Sequence, residues 1–433
     1  MQIRNTVVAL LLGSVTLLCW ADTTSSSAFN ETQHGKASKA LTLEEAIART
    51  LKHNPQLYQY RFREQSLAAQ REISSLSPAM QLGLEVENVA GSGDFSGTDN
   101  AETTLALSSV IELGGKARSR VALVNARTDR LSFERQAATL DVLGELTALY
   151  IRSISTQEYI HLAEEAVALS ERMLKTVEER AAKAAAPEAE VMRAKAAVTR
   201  ASIRLQSLHA SFDRQKVALS SFWGSTSPQF AELHGNLSTF AASDDFASLF
   251  QRAKNSPAVA IFASEARLKD AEVKLAQAQS RVDIGWQLGV RRFEETDDTA
   301  FTAGISIPLF SGKRNRGAVA SALAERNAVD YQQADAMLNL HNRLFTAFSQ
   351  RGENAAVVEQ FSSHVLPALQ KALVLTQDAY EKGRYRYQDW IAAQEELLTA
   401  KQQLIEAATA AQLSQALIEQ LTAEPLTTNA LTN

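Results

Sequence analysis

Seven histidines (His34, His53, His161, His209, His234, His341 and His364) are the first residues to test for chemistry, because imidazole serves metal binding and proton transfer alike. No two stand three or four residues apart, and no carboxylate–histidine cluster has transition-metal spacing, so each reads as a surface or helix-packing residue. No Ser/His/Asp arrangement stands out, and Gly115-Lys116 lacks the upstream glycine of a phosphate loop. The residues point away from an enzyme and call for no cofactor and no bound metal. What remains is "DAYEKGRYRYQDWIAAQ", Asp378 to Gln394, where Tyr380, Tyr385, Tyr387 and Trp390 crowd around Gly383. Such rings either pack two helices together at a turn or present a half-wet docking surface.

The elements that position this group are long helices. Ala, Leu, Gln, Glu, Arg and Ser dominate the 433 residues, and Pro and aromatics are sparse. The net charge of −5 gives no global field for nucleic acid. At the N-terminus, Arg4, the apolar run "VVALLLGSVTLLCW" and Ala21 read as a signal peptide over 1–21, leaving a mature chain that begins at Asp22. Cys19 as a lipid acceptor would need a small residue before it, and Leu18 stands there.

The rest of the chain is written twice. After an extension (22–41), a first repeat spans 42–222; a linker (223–245) joins it to a second repeat, 246–422, and a tail covers 423–433. "EEAIARTLKHNP" is answered by "ASLFQRAKNSP", and each leads into a helical stretch. In each repeat the apolar period then changes from 3.6 to 2 over two short windows that flank a turn, the pattern of a hairpin. "MQLGLEVENV" and "ETTLALSSVIEL" form one pair, "DIGWQLGVRRF" and "AFTAGISIPLF" the other. Each hairpin ends at Gly-Lys, and a long helical pattern follows, from Lys116 to about Ala186, broken only by Gly144, and from Lys313 to about Lys382, with Gly317, Gly352 and Pro367 inside it. A return helix comes next, Pro187 to Phe222 and Tyr387 to Leu421. Gly114, Gly115 and Gly312 mark the change from strand to helix, where backbone freedom is needed.

Strands with one apolar and one polar face suit a transmembrane β-barrel wall, yet four strands cannot close a barrel and an open edge cannot face lipid. The chain must pool strands with copies of itself; two, three or four copies give eight, twelve or sixteen. The fold class expected is mainly α with a small β part. An exported coiled-coil structural or adhesion protein without a barrel is the reading from another class.

This layout resembles the TolC-like outer-membrane efflux protein family over nearly the whole chain after the signal peptide. "IELGGKAR", Ile111 to Arg118, is similar to the strand–helix junction of the heavy-metal, CzcC-like subgroup. The resemblance implies a homotrimer whose twelve-strand barrel sits in outer-membrane lipid above a periplasmic helical tunnel. It also implies two further partners, a periplasmic membrane-fusion adaptor and an inner-membrane RND pump. Its expected cargo is divalent cations of the cobalt, zinc and cadmium class, with multidrug efflux or type I protein secretion as alternatives. The family carries Tyr-x-x-Gly and a following acidic residue at the tip, matched here by Tyr380, Gly383 and Asp389. By that match Asp389 from three subunits lines a gate, with Tyr380 and Arg384 holding it closed. Gly383, Tyr385, Tyr387, Trp390, Lys183 and Pro187 form the tip turns and adaptor-docking surface. Ala182 falls at the glycine position of the first repeat, and Ala392 replaces a second acidic residue.

Overall fold

The computed structural model describes residues 38–240, 244–309, 313 and 315–424. The expected signal peptide, Cys19, Gly312 and all but the first two residues of the tail lie outside them. The first repeat opens with β1 (Ser38–Leu41), α1 (Leu43–His53) and α2 (Pro55–Ser75). Thr42 caps α1 by accepting the Glu45 N–H at 3.2 Å. Asn54 ends α1 and starts α2: its side chain accepts the Leu57 N–H at 3.1 Å, and Pro55 occupies the first helical turn. Two strands follow, β2 (Gln81–Glu87) and β3 (Glu102–Ile111). The 67-residue α3 (Lys116–Ala182) comes next, about 100 Å long at 1.5 Å per residue, and α4 (Glu188–Ser221) returns.

After β4 (Phe230–Leu233) the second repeat supplies α5 (Phe246–Lys254), α6 (Pro257–Gln279), β5 (Ile284–Phe293) and β6 (Asp298–Ser306). The second long helix differs from expectation. It is α7 (Arg316–Gln360), one π turn (Phe361–Val365) and α8 (Leu366–Glu381), followed by the return helix α9 (Tyr387–Thr422). Pro367 explains the interruption: it has no N–H to donate, and its ring clashes with the carbonyl four residues back. The wider turn, with Leu366 N–H bonded to the Phe361 carbonyl, absorbs that defect without ending the helix.

The two hairpins join into one antiparallel sheet of order β2-β3-β5-β6. Register places Leu82 beside Leu107 and Leu84 beside Leu105, then Leu105 beside Val290 and Val290 beside Phe301. These residues share one face, and they are bare: Leu82 is 72% exposed, Ile305 76% and Phe301 92%. The opposite face carries Gln81, Glu85, Glu87, Ser108, Gln287 and Arg291. Arg291 stitches the hairpins together, its guanidinium 2.8 Å from Glu102, 2.9 Å from Glu87 and 2.8 Å from the Thr104 hydroxyl. Water would penalise such an apolar face, whereas lipid suits it. Among the described residues, no helix is long and apolar enough to cross a membrane.

The helices continue the strands. α2 packs on α3, α3 on α6 and α6 on α7, the same order as β2-β3-β5-β6. Farther down, α4 packs on α3, α3 on α9 and α9 on α7. A short parallel pair, β1 with β4, was not legible in the sequence. Each strand has four residues and its partner is distant in the chain, so no alternating run announces it. The Tyr150 hydroxyl sits 2.7 Å from both the Leu41 and His234 carbonyls, clamping this pair to α3. Burial pushes the Tyr150 phenol well above its ordinary pKa, so it stays a donor. Gln157 brackets Leu233 from both sides, accepting its N–H at 3.0 Å and donating to its carbonyl at 3.2 Å.

Candidate functional site

Two places gather the residues singled out by sequence, the strand–helix junction and the helical tip. At the junction Gly114 and Gly115 have φ of 76° and 72°, the left-handed region, and a Cβ on Gly114 would lie 2.5 Å from the Arg281 side chain. The basic residues that follow hold the corner. Buried Lys116 pairs with Asp283 at 2.6 Å, while the other Asp283 oxygen accepts the Leu113 N–H at 3.1 Å. Arg120 reaches Glu112 through two bonds of 2.6 and 2.9 Å and also donates to the Leu76 carbonyl at 3.2 Å. The "GGKARSR" pattern thus turns the chain sharply and bolts β3, α2 and the start of β5 together.

The tip is made by the end of α3 and start of α4 together with the end of α8 and start of α9. Both turns are Schellman motifs. Arg384 N–H bonds the Ala379 carbonyl at 2.8 Å around Gly383, whose φ is 70°. Ala185 N–H bonds the Arg180 carbonyl at 2.8 Å around Ala184, whose φ is 53°. The counterpart of Gly383 is therefore Ala184, two residues beyond the expected Ala182. Pro187 is the residue before α4, with Glu188 opening the helix.

Tyr380 is 2% exposed and donates its hydroxyl to Glu190 on α4 at 3.1 Å. Its ring centroid lies 5.2 Å from that of Trp390 and 6.3 Å from that of Tyr387. Burial, reinforced by the Glu190 carboxylate, pushes the Tyr380 phenol up to about 12. Tyr387 is raised for the same first reason, and its buried hydroxyl has no hydrogen-bond partner among the described residues. Tyr387 and Trp390 are 2% and 3% exposed, packed with Met173, Val177 and Val191. The structure thus gives Tyr380, Tyr387 and Trp390 to the interior of the tip; the ring left facing outward is Tyr385, 53% exposed. Docking by Tyr387 and Trp390, as expected from sequence, is corrected accordingly: their faces are already used by α3 and α4. Lys183, Pro187, Gly383 and Arg384 are exposed at the turns.

Asp389 is the third residue of α9. One carboxylate oxygen accepts the Arg386 N–H at 2.9 Å, a bond that caps the start of α9, and the same oxygen lies 3.6 Å from the Arg386 guanidinium. The guanidinium that engages Tyr380 is not that of Arg384 but that of Arg180, which sequence reasoning missed. Arg180 donates to the Tyr380 carbonyl at 2.5 Å, to Glu381 at 3.2 Å and to Ala185 at 3.2 Å. It also stands 4.5 Å from the Tyr380 ring centroid. A basic residue in the last turn before a tip, where carbonyls are unsatisfied, was the available signal. Among the described residues no three His, Cys, Asp or Glu side chains gather as a metal site. His161 lies 3.4 Å from Glu164 as an isolated, exposed pair.

Residues 250–424 match the outer membrane efflux protein family. The cobalt-zinc-cadmium resistance protein CzcC of Cupriavidus metallidurans is 28% identical over 295 residues, 67% of this chain and 70% of that protein. The nickel-cobalt-cadmium resistance protein NccC of Alcaligenes xylosoxydans xylosoxydans is 23% identical over 234 residues, 52% of this chain and 51% of its own length. Among solved structures, CusC superposes with a TM-score of 0.72 at 16% identity, covering 92% of this chain and 96% of CusC. VceC of Vibrio cholerae gives 0.72 at 18%, covering 89% and 97%.

Proposed function

We propose that this chain is an outer-membrane efflux protein, seated in the outer membrane with its helical tunnel in the periplasm, and that it serves as the exit duct of a tripartite RND-type system for divalent heavy-metal cations. The observation that carries the duct is the sheet. Its apolar face is bare, its opposite face is polar, and among the described residues β2 and β6 end the sheet without further partners. In lipid those edges need strands from other copies, and three copies give a twelve-strand barrel. The likeness to CzcC and NccC, both named for resistance to cobalt and cadmium, supports metal cargo. The metal here is substrate, passing through rather than held. A periplasmic adaptor would dock on the exposed tip surface of Lys183, Pro187, Gly383 and Tyr385, and the inner-membrane pump would supply the energy. Asp389 would meet its two symmetry copies at the constriction, where crowded carboxylates favour cations.

Deleting the gene tests the assignment. Sensitivity to cobalt, zinc and cadmium salts should rise more than sensitivity to dyes or detergents. The opposite pattern would move the protein to multidrug efflux.

A further inference from the structure

The strand–helix corner carries more positive charge than its own contacts use. Residues 109–120, 279–287 and 304–318 hold seven basic residues against two acidic ones, Glu112 and Asp283. Both acids are engaged inside the corner, by Arg120 and Lys116. Arg118, Arg281, Lys313 and Arg316 are exposed, and among the described residues no ion pair engages them. The far end of the sheet is the reverse. Residues 85–104 and 290–300 hold nine acidic residues against two basic ones, Arg291 and Arg292. The sheet thus has a positive rim next to the helices and a negative rim away from them.

Apolar side chains place the positive rim at an edge of lipid. The alternation of the bare face runs on past the strands. Met80 continues Leu82 and Leu84, Leu113 continues Ile111, and Ile307 and Leu309 continue Ile305. Met80, Leu113, Ile307 and Leu309 are between 38% and 75% exposed. Within β6, Phe301 to Ile305 cover about 14 Å at 3.4 Å per residue, short of the roughly 25 Å apolar band of an outer-membrane barrel. With Leu309 the run reaches about 27 Å along the chain, so lipid extends to the corner.

Arg118 faces that lipid. Glu112 and Asp283 continue the polar face, four residues past Ser108 and four before Gln287. Their partners Lys116 and Arg120 therefore mark the polar-face side of α3. At 3.6 residues per turn, Arg118 stands about 160° round the helix from both. At the start of α7, Asn315 turns toward α6 and donates to the Gln279 carbonyl at 2.6 Å, which leaves Lys313 and Arg316 clear of that contact. Arg118 follows Leu113 by five residues, and Lys313 and Arg316 follow Leu309 by four and seven.

We propose that this corner binds anionic phospholipid of the periplasmic leaflet. Its phosphates accept charge-assisted bonds from Arg118, Lys313 and Arg316, and its acyl chains lie against Met80, Leu113, Ile307 and Leu309. Such a site presupposes the outer-membrane seating stated above and adds the class of lipid held and the rim that holds it.

Quenching of Trp286 by brominated lipid tests it. Trp286 lies on the bare face beside Ser109 and Ile305, close to the corner, whereas Trp223 and Trp390 belong to the linker and the tip. The full chain is reconstituted in phosphatidylcholine vesicles. Brominated phosphatidylglycerol should then bind at least about fivefold better than brominated phosphatidylcholine, the effect of one cation at a membrane surface. Added salt should abolish that preference, and inorganic phosphate at constant ionic strength should not. Joint replacement Arg118→Gln, Lys313→Gln and Arg316→Gln should bring the two lipids level while quenching by brominated phosphatidylcholine persists. Arg292→Gln, at the acidic rim, should leave the preference as in wild type. Equal affinities in wild type overturn the proposal, as does a preference that survives salt or the triple replacement. Loss of the preference to inorganic phosphate, or in Arg292→Gln, also overturns it. Quenching of wild type by neither lipid overturns the membrane seating itself.

Discussion

The two tip turns close their helical hairpins with the same backbone bonds and different side chains. The second turn uses Gly383 for its left-handed residue; the first uses Ala184, although a Cβ in that region costs about 1 kcal/mol. The first turn supplies Arg180, whose counterpart in the second is Ala379, and the second supplies the rings and carbonyls that Arg180 grips. The two turns repeat one backbone pattern, but they act as two halves of one clamp. One half carries the strain and the hand; the other is relaxed and is held.

Breaking the hand should have the largest effect. Arg180→Ala removes three charge-assisted bonds to carbonyls and the contact over Tyr380. A loss of about 2–3 kcal/mol is expected, read as a lower unfolding midpoint together with a red shift of Trp390 emission. Arg180→Lys should recover little, because an ammonium cannot reach three carbonyls and stack on a ring at once. A wild-type midpoint and emission in Arg180→Ala would show that the halves do not depend on each other.

Exchanging the left-handed residues sharpens the comparison further, since the signs should oppose. Gly383→Ala should destabilise by about 1 kcal/mol and Ala184→Gly should stabilise by somewhat less, because glycine also loosens the unfolded chain. Among the described residues nothing lies within 4 Å of a Cβ built on Gly383, so the cost there is that of the backbone. Chemical denaturation measures both; equal signs would mean that the turns are not equivalent.

Tyr380→Phe is a smaller step, about 1 kcal/mol, because it removes one hydrogen bond to Glu190 and keeps the ring. The open probability in planar bilayers should rise. The pH dependence carries the same information. With the folded phenol at about 12 and the free phenol at about 10, its contribution is full below pH 10 and is lost as pH rises toward 12. Tyr380→Phe should remove that part of the alkaline loss, while the Tyr150 part remains.

The sequence made the repeats, both hairpins, the Gly114-Gly115 corner and the long helices legible because each rests on a local signal: a period, a glycine or a helix-breaking proline. The parallel pair β1–β4 and the adjacency of β3 to β5 were not legible, being settled by partners far apart in the chain. The π turn shows a local signal misread, since Pro367 was visible but its remedy depends on packing that keeps the helix going. At the tip, Tyr380 and Gly383 could be picked from a motif. Arg180 offered only the signal of a basic residue in a helix's last turn, since its importance comes from the Tyr380 and Glu381 carbonyls some two hundred residues away, which the fold brings to 2.5 and 3.2 Å.

Asp389 carries the smallest expected effect on stability and the most specific one on function. Asn can keep the cap, since its side-chain oxygen can still accept the Arg386 N–H, so Asp389→Asn should leave α9 and the unfolding midpoint within about 0.5 kcal/mol of wild type. What it removes is the charge. The side chain is 39% exposed, so a carboxylate partly committed to the cap still projects field into the space beside the turn. If three such carboxylates line the constriction, neutralising them should lower cation selectivity and relieve block by multivalent cations in planar-bilayer recordings. Arg384→Ala, at an exposed turn position, should leave the midpoint unchanged while shifting selectivity the other way. Selectivity that does not move in Asp389→Asn would leave the carboxylate as a helix cap alone, and the constriction would have to be sought elsewhere along the tunnel.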